Sequence, residues 1–572
     1  MGCGVACTPD SSKRSDDVAC PCPMAMRFCP PRQGIHDMTA RTRWFLLVGI
    51  VLLGLVSFLS FRPSRVTAPP ATSGTPALSA RPAPRPLPVA MAPRVQQPFT
   101  SAQLEQFLAD ARSAEAIQDP LQRCLAYPDP PGLHWPKAVT NAYCHYLLDA
   151  VIKPDEVRQL IQAGRTAELD RRFAEIMHAQ LTQPGAQSAL DRTFNIDFAV
   201  SSPVTRALVD AWKRQSPQSP FALAASGLSY VAMAQSARGS EFADKTSQDQ
   251  FESMGRLLEQ ARTDLDAAAK LDPHVTPAYA GMLYVAMLGS DGAYAMHAAK
   301  QGLAIDPANF PIYARLARMS QPKWGGNVHR LQGVIDAAQR HAKDNPLLLL
   351  LLAERKDGDE YVAYCECSIE QEYDIYQQLF AEPGTTGMLM GAGWGAHDRN
   401  ALDFSVIYRS ELLRFDPSQI AHRQGRAFDL PRLGQADWAL FEGNSLVALA
   451  PQDENSYEAR GYVYEQMHQT DPAVKDFEQA LRMNPDDAWG LLALANLYAF
   501  DLHDWDKAWV PANRMVQIHP DDPRGWQLRA IIEKNGRRKG LDQTVSEFVA
   551  RFGNDPAQQA LLQQMQSFRT SK

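Results

Sequence analysis

The stretch ENSYEARGYVYEQMHQTDPAVKDFEQALRMNPDD, residues 454–487, decides the fold. With Glu454 as position 1, Tyr457 falls at 4, Gly461 at 8, Tyr464 at 11, Ala473 at 20, Phe477 at 24, Ala480 at 27 and Pro485 at 32. Small residues at positions 8, 20 and 27 let two helices and their neighbours approach closely, and the aromatics fill the space between them. Pro485 follows the second helix, which it cannot continue, and fixes the turn into the next segment. All of these side chains read as core.

Outward from this unit, prolines recur at Pro273, Pro307, Pro346, Pro383, Pro417, Pro451, Pro485, Pro520 and Pro556, spaced by 34, 39, 37, 34, 34, 34, 35 and 36 residues. A helix–turn–helix unit of this length cannot bury its apolar face alone, so the period builds a stacked solenoid with a long concave surface. The pattern resembles the tetratricopeptide repeat (TPR). Residues 276–309 keep the register through Tyr279, Ala295, Ala299, Gly302 and Pro307, and residues 420–453 through Ala439, Gly443, Leu446 and Pro451. Residues 488–522 need one extra residue, assigned to the turn at 501–504, to align Ala508, Ala512 and Pro520. Residues 523–556 keep only Trp526, Ala530 and Phe548, and 558–569 reads as the polar-faced cap that solenoids require.

The composition, 45% hydrophobic and 21% charged over 572 residues, is that of a globular chain too long for one core. Residues 1–100 carry 11 Lys/Arg and 4 Asp/Glu, and the remaining 472 carry 46 and 60. So acidic a body is a poor match for nucleic acid, and none is expected as a partner. Residues 44–61, WFLLVGIVLLGLVSFLSF, carry no charge and reach about 27 Å as a helix, enough to span a bilayer with help from flanking residues. Arg41, Arg43, Arg62 and Arg65 bound the run, and the small-x-small site of a cleaved signal does not follow it, so it reads as an uncleaved signal anchor. Residues 62–100 hold ten prolines, seven alanines and no acid, the makings of a semi-extended spacer. The slight basic bias before the anchor places the body in the bacterial periplasm, with cytoplasmic placement as the alternative.

Five of the nine cysteines, Cys3, Cys7, Cys20, Cys22 and Cys29, fall in residues 1–43, without zinc-site spacing. This segment reads as disordered, or as lying upstream of a working start at Met38. Cys124 and Cys144 are a candidate disulfide in an oxidising compartment, whereas Cys365 and Cys367 would point to different faces of a helix.

Residues 101–272 read as an irregular helical domain, with helices over 103–116, 138–151, 154–163, 168–181, 203–215 and 220–237. Degenerate TPR-like repeats follow over 273–383, then TPR repeats and the cap over 384–572. The fold class is therefore all-α: a TPR-like α-solenoid following an irregular helical domain, with one N-terminal transmembrane helix. The run SPFALAASGLSYVAMAQSARGSEFADKTS (219–247), the KLDP at 270–273 and QPKWGGNVHRLQGVIDAAQRHAKDNP (321–346) resemble a bacterial helical family of unknown function over about residues 155–355. That resemblance implies an α-solenoid and supplies no chemistry. An insertion at 238–246 interrupts the first helix pair and reads as a surface loop or a cap over a ligand groove.

Histidines and carboxylates are scattered without an H-E-x-x-H or similar pattern. The glycine-rich GMLMGAGWG (387–395) has neither phosphate-loop nor dinucleotide spacing, and reads as close helix packing or an irregular joint. No catalytic residue, metal site or cofactor is expected. The chain reads as a non-enzymatic binding scaffold, with an enzyme sited in the irregular region as the alternative. In a TPR the first helix of each unit lines the concave wall, and its positions 2, 5, 9 and 12 face the ligand. Here those are Asn455, Glu458, Tyr462 and Glu465, then Trp489, Leu492 and Asn496, then Arg524 and Gln527. The wall is acidic and aromatic, which points to a protein or peptide partner with a basic or aromatic-bearing segment. Tyr462 and Trp489 are expected to stand clear of packing within the repeats.

Overall fold

The computed structural model describes residues 99–570 apart from 134, 150, 240–244 and 354–379. The candidate anchor at 44–61, the segment before it, most of the spacer, the Cys365/Cys367 pair and most of the 238–246 insertion lie outside the described residues. Among the described residues no helix is long and apolar enough to cross a membrane.

The helical body opens on a reciprocal cap. The Thr100 hydroxyl accepts from the Gln103 amide at 3.3 Å while Gln103 Oε1 accepts from the Thr100 amide at 2.8 Å. The helices behind it are Ser101–Glu115 (α1), Pro120–Ala126 (α2), Lys137–Leu148 (α3), Pro154–Gln162 (α4), Thr166–Thr182 (α5), Ala189–Asp197 (α6), Pro203–Gln215 (α7) and Pro220–Arg238 (α8). Pro120, Pro154, Pro203 and Pro220 each open a helix, where a missing N–H costs nothing. Sequence periodicity misses α2 and α6, both under ten residues long. Cys124 and Cys144 are disulfide-bonded and tie α2 to α3.

The repeats begin with Gln248–Leu271 (α9), Thr276–Gly289 (α10), Gly292–Ile305 (α11), Phe310–Ser320 (α12) and Val328–Gln339 (α13). After the gap come Thr386–Asp398 (α14), Leu402–Phe415 (α15), Ile420–Asp429 (α16), Ala436–Leu449 (α17), Glu454–Gln466 (α18) and Thr470–Met483 (α19). Ala488–Asn496 (α20), Trp505–Ile518 (α21), Pro523–Asn535 (α22), Leu541–Phe552 (α23) and Gln559–Thr570 (α24) complete the described chain. The described regular elements are all helical. Consecutive helices pack on one another, and first helices stack across units, α14 on α16, α16 on α18, α20 on α22 and α22 on α24.

A hydrogen bond recurs at the clock prolines. At four of the nine, the residue six places on donates to that proline's carbonyl. Tyr279 bonds to Pro273 at 3.1 Å, Tyr457 to Pro451 at 3.2 Å, Trp526 to Pro520 at 2.8 Å, and Arg423 does the same to Pro417 at 3.0 Å. At Pro485 the residue six on is Leu491, which has no donor, and Arg514 takes the carbonyl instead at 2.8 Å. Two residues after Pro451, Pro485 and Pro520, the aspartates Asp453, Asp487 and Asp522 cap the next first helix.

The extra residue of unit 488–522 does not sit in the 501–504 turn. It is absorbed one step earlier, as a π-helical turn over Leu497–Asp501 closed by Leu502 N–H to Leu497 carbonyl at 3.0 Å. The glycine-rich run forms α14 and reflects close packing. A Cβ on Gly393 would lie 3.0 Å from Arg409 Cγ and 3.4 Å from His422 Nδ1.

The apolar cores do not divide at residues 272 and 383, where the sequence places domain lines. Residues 152–312 share one core, built around Phe173, Phe194 and Trp212. A second joins α1–α3 to residues 310–353 and 380–463, so the first described helices lie against the central repeats. Two smaller cores serve the last units and the cap.

Candidate functional site

Three first helices, α18, α20 and α22, carry the nine expected wall residues at spacings of three and four, which repeat on one helix face. Seven of the nine line a single cleft of about 520 Å³: Tyr462 and Glu465 from α18, Trp489, Leu492 and Asn496 from α20, and Arg524 and Gln527 from α22.

Asn455 and Glu458 do not line it. Asn455 is spent on its own helix start, where Nδ2 donates to Asp453 Oδ1 at 3.0 Å. Glu458 is only 5% exposed and is tucked beneath the start of α20, where a Cβ on Gly490 would lie 3.0 Å from its Oε1. Burial, and then the neighbouring Asp487 carboxylate, push the Glu458 pKa up to about 9, so it is protonated at neutral pH. It is not a wall charge.

The ring contacts of Tyr462 and Trp489 run between units and not within them. The Trp489 ring meets Phe477 edge-on at 5.3 Å and Phe428 at 5.4 Å, and Tyr462 lies 5.2 Å from Phe428 and 6.1 Å from Trp489. Both therefore join units together while presenting part of their rings to the cleft. Burial, with Asp501 adding to it, raises the Glu465 pKa, and Arg524 is paired with Asp522 at 2.6 Å. Gln527 Nε2 donates to Gln564 Oε1 at 2.8 Å, fixing one end of the cleft to the capping helix.

Four further residues line the cleft, Ala493, Phe500, Leu528 and Ile531, the last at position 9 of the unit that opens at Pro523. Phe500 is 47% exposed, packs edge-on against Trp505 at 6.3 Å and is placed by the π-helical turn. Ile531 lies one turn beyond Gln527 on α22. The sequence signal for Phe500 is the off-period residue itself, because an insertion in a helix re-aims the side chains that follow it.

Residues 153–291 match the domain of unknown function DUF4034. The match confirms the resemblance to a helical family of unknown function but ends at residue 291, so the 321–346 run lies beyond it. No curated protein matches the chain. Among solved structures, a thermophilic TPR protein of Thermus thermophilus is 19% identical, overlaps 32% of this chain and 100% of its own, and gives a TM-score of 0.29. A tetratricopeptide repeat protein of Parabacteroides merdae is 13% identical, overlaps 45% and 99%, and scores 0.32. Yeast Tom70 is 11% identical, overlaps 73% and 94%, and scores 0.30. At such scores the TPR character of this chain rests on its own helix pairs and on the 34-residue clock.

Proposed function

We propose that this chain is a membrane-anchored scaffold that binds a protein partner in the cleft between α18, α20 and α22. The partner segment presents an aromatic or aliphatic anchor rather than a run of basic residues, since Glu458 is buried and neutral and the apolar floor is formed by Trp489, Leu492, Phe500 and Ile531. The observation that carries this reading is the convergence of seven wall residues from three successive first helices on one cleft. Solenoids bind extended segments and helices along such walls. Placement in the bacterial envelope, with the repeats outside the cytoplasm, is supported by the 44–61 apolar run, the proline-rich spacer and the Cys124–Cys144 disulfide, a bond that persists in oxidising compartments.

A photo-crosslinking amino acid at position 500 of the full chain, in living cells, tests the cleft against one at Val510, which is 67% exposed and outside it. The expected result is a recurrent protein adduct at 500 that is absent at 510 and is lost on Asn496→Arg. Adducts of equal yield at both positions, or none at 500, would overturn the assignment. A periplasm-only reporter enzyme fused after Thr100 tests topology, and an inactive reporter beside an active cytoplasmic one would reverse it.

A further inference from the structure

A second cleft, of about 680 Å³, opens where helices of the DUF4034 match meet α3, α12 and α14. Asp191 of α6 and Arg315 of α12 both line it. Each lacks a partner of the kind its chemistry demands. Asp191 is 2% exposed. Its Oδ2 accepts from Gln180 Nε2 at 2.6 Å, Thr276 Oγ1 at 2.7 Å and Asn309 Nδ2 at 2.9 Å, while Oδ1 has no donor. The Arg315 guanidinium lies over the Tyr284 ring at 4.0 Å and, among the described residues, forms no ion pair. Arg318, one turn further along α12 and exposed, lines the same cleft.

A buried acceptor without a donor and a guanidinium without an anion are both costly, and neither a simple cation nor a simple anion would relieve both. A cation would leave Arg315 unpaired and be repelled by it. A bare anion would leave Asp191 Oδ1 unsatisfied. A ligand that carries an ammonium group and a carboxylate satisfies the two together, and Val231 and Phe310 supply apolar wall for a side chain.

We infer that this cleft binds a small zwitterion of the amino-acid or dipeptide type, its carboxylate on Arg315 and Arg318 and its ammonium group on Asp191 Oδ1. The volume suits such a ligand, since sites for small molecules run from roughly 300 to 1,000 Å³. Burial, opposed by its hydrogen bonds to Thr276 and Gln180, holds the Asp191 pKa at about 6, so the carboxylate is ionised at neutral pH and can accept an ammonium. This site is independent of the cleft at α18–α22.

The test is calorimetric titration of the full chain in detergent with L-leucine, L-phenylalanine and leucyl-leucine, each beside its N-acetylated and its C-amidated form. At least one free zwitterion should bind saturably, and blocking either end should weaken it by about tenfold or more, the loss of one charge-assisted contact. The free-amino-acid and dipeptide arms separate the two sources of that chemistry. Arg318→Ala, at an exposed position, should keep the circular dichroism unchanged and weaken binding of the zwitterion by about tenfold, with Arg315→Lys as the half-buried counterpart. No binding by any free zwitterion, equal binding of the blocked forms, or unchanged affinity in both arginine variants would overturn the inference.

Discussion

Arg426 Nη2 lies 2.9 Å from Glu115 Oε1, a contact that spans 311 residues of sequence and fastens the first described helix to the central repeats. The same nitrogen lies 2.9 Å from Glu442, which Arg423 also meets at 3.0 Å, and Arg426 Nη1 donates to Ser410 at 3.0 Å. Burial disfavours the charged form of Glu115, but Arg426 and Arg423 outweigh it and hold the carboxyl below its ordinary value. Removing one partner leaves the other charged and buried, so Glu115→Gln should destabilise the chain by roughly 3–5 kcal/mol, toward the lower figure because Arg426 keeps Glu442. With Arg426→Met added, the two losses should fall short of their sum by about 0.5–3 kcal/mol. Denaturant unfolding of the two single variants and the double checks this. Losses that add to within about 0.5 kcal/mol would mean that the two residues are not coupled.

Gly425 makes room for a second buried arginine. A Cβ there would lie 1.8 Å from Arg409 Nη1 and 2.2 Å from its Cζ, and Arg409 is fully buried with its Nε donating to Ser405 at 3.0 Å. Gly425→Ala should therefore cost about 1–3 kcal/mol by overpacking. Gly255, inside α9 with nothing within 4 Å of its added Cβ, should respond with the opposite sign, since Ala is favoured over Gly in a helix by up to about 1 kcal/mol. Thermal melts of the two variants decide it, and a shift of the same sign in both would refute the packing assigned to Gly425.

Glu458 gives a pH dependence of defined sign. Its folded pKa, about 9, lies above its ordinary value of 4.5, so between those limits the folded chain holds a proton that the unfolded chain has released. The stability it contributes is complete below about pH 4.5 and is lost as pH rises toward 9. Glu458→Gln should match the parent near pH 5 and exceed it near pH 9. Unfolding midpoints at pH 5, 7 and 9 measure this, and an advantage of the variant that grew toward low pH would contradict the burial of this carboxyl against Asp487.

The unit 454–487 was readable to the residue because local chemistry punctuates it, with a capping aspartate at one end and a proline at the other. A helix near 558–569, found at 559–570, and the close packing at 387–395 were legible for the same kind of reason, polar patterning and small residues. Helices α2 and α6 were not, since α2 spans only seven residues and α6 lacks the opening proline that marks the equally short α4. The Glu115–Arg426 contact leaves no periodic trace, since pairing of charges across 311 residues is set by tertiary packing. Register alone also puts Glu458 at a wall position, yet the close approach of α20 at Gly490 covers it. A repeat pattern thus identifies the face of a helix more securely than the exposure of each side chain on it.

The Cys124–Cys144 bond closes a loop of 20 residues between two short helices of the N-terminal layer, and both cysteines are fully buried. Arg414, itself buried, donates from Nε to the Cys124 carbonyl at 2.9 Å, so the bridge also carries one attachment of that layer to α15. Closing a loop of this length removes unfolded-state entropy worth about 3 kcal/mol. The parent chain should therefore unfold at a lower temperature in excess reductant, while the Cys124→Ala/Cys144→Ala double variant should start from the lower value and ignore reductant altogether. Because the lost stability belongs to the α1–α3 layer, protease cleavage after reduction should begin within residues 101–148, ahead of the 454–570 repeats. A parent chain whose melting temperature does not respond to reductant, with both thiols open to alkylation beforehand, would show that the two helices are held without the bond.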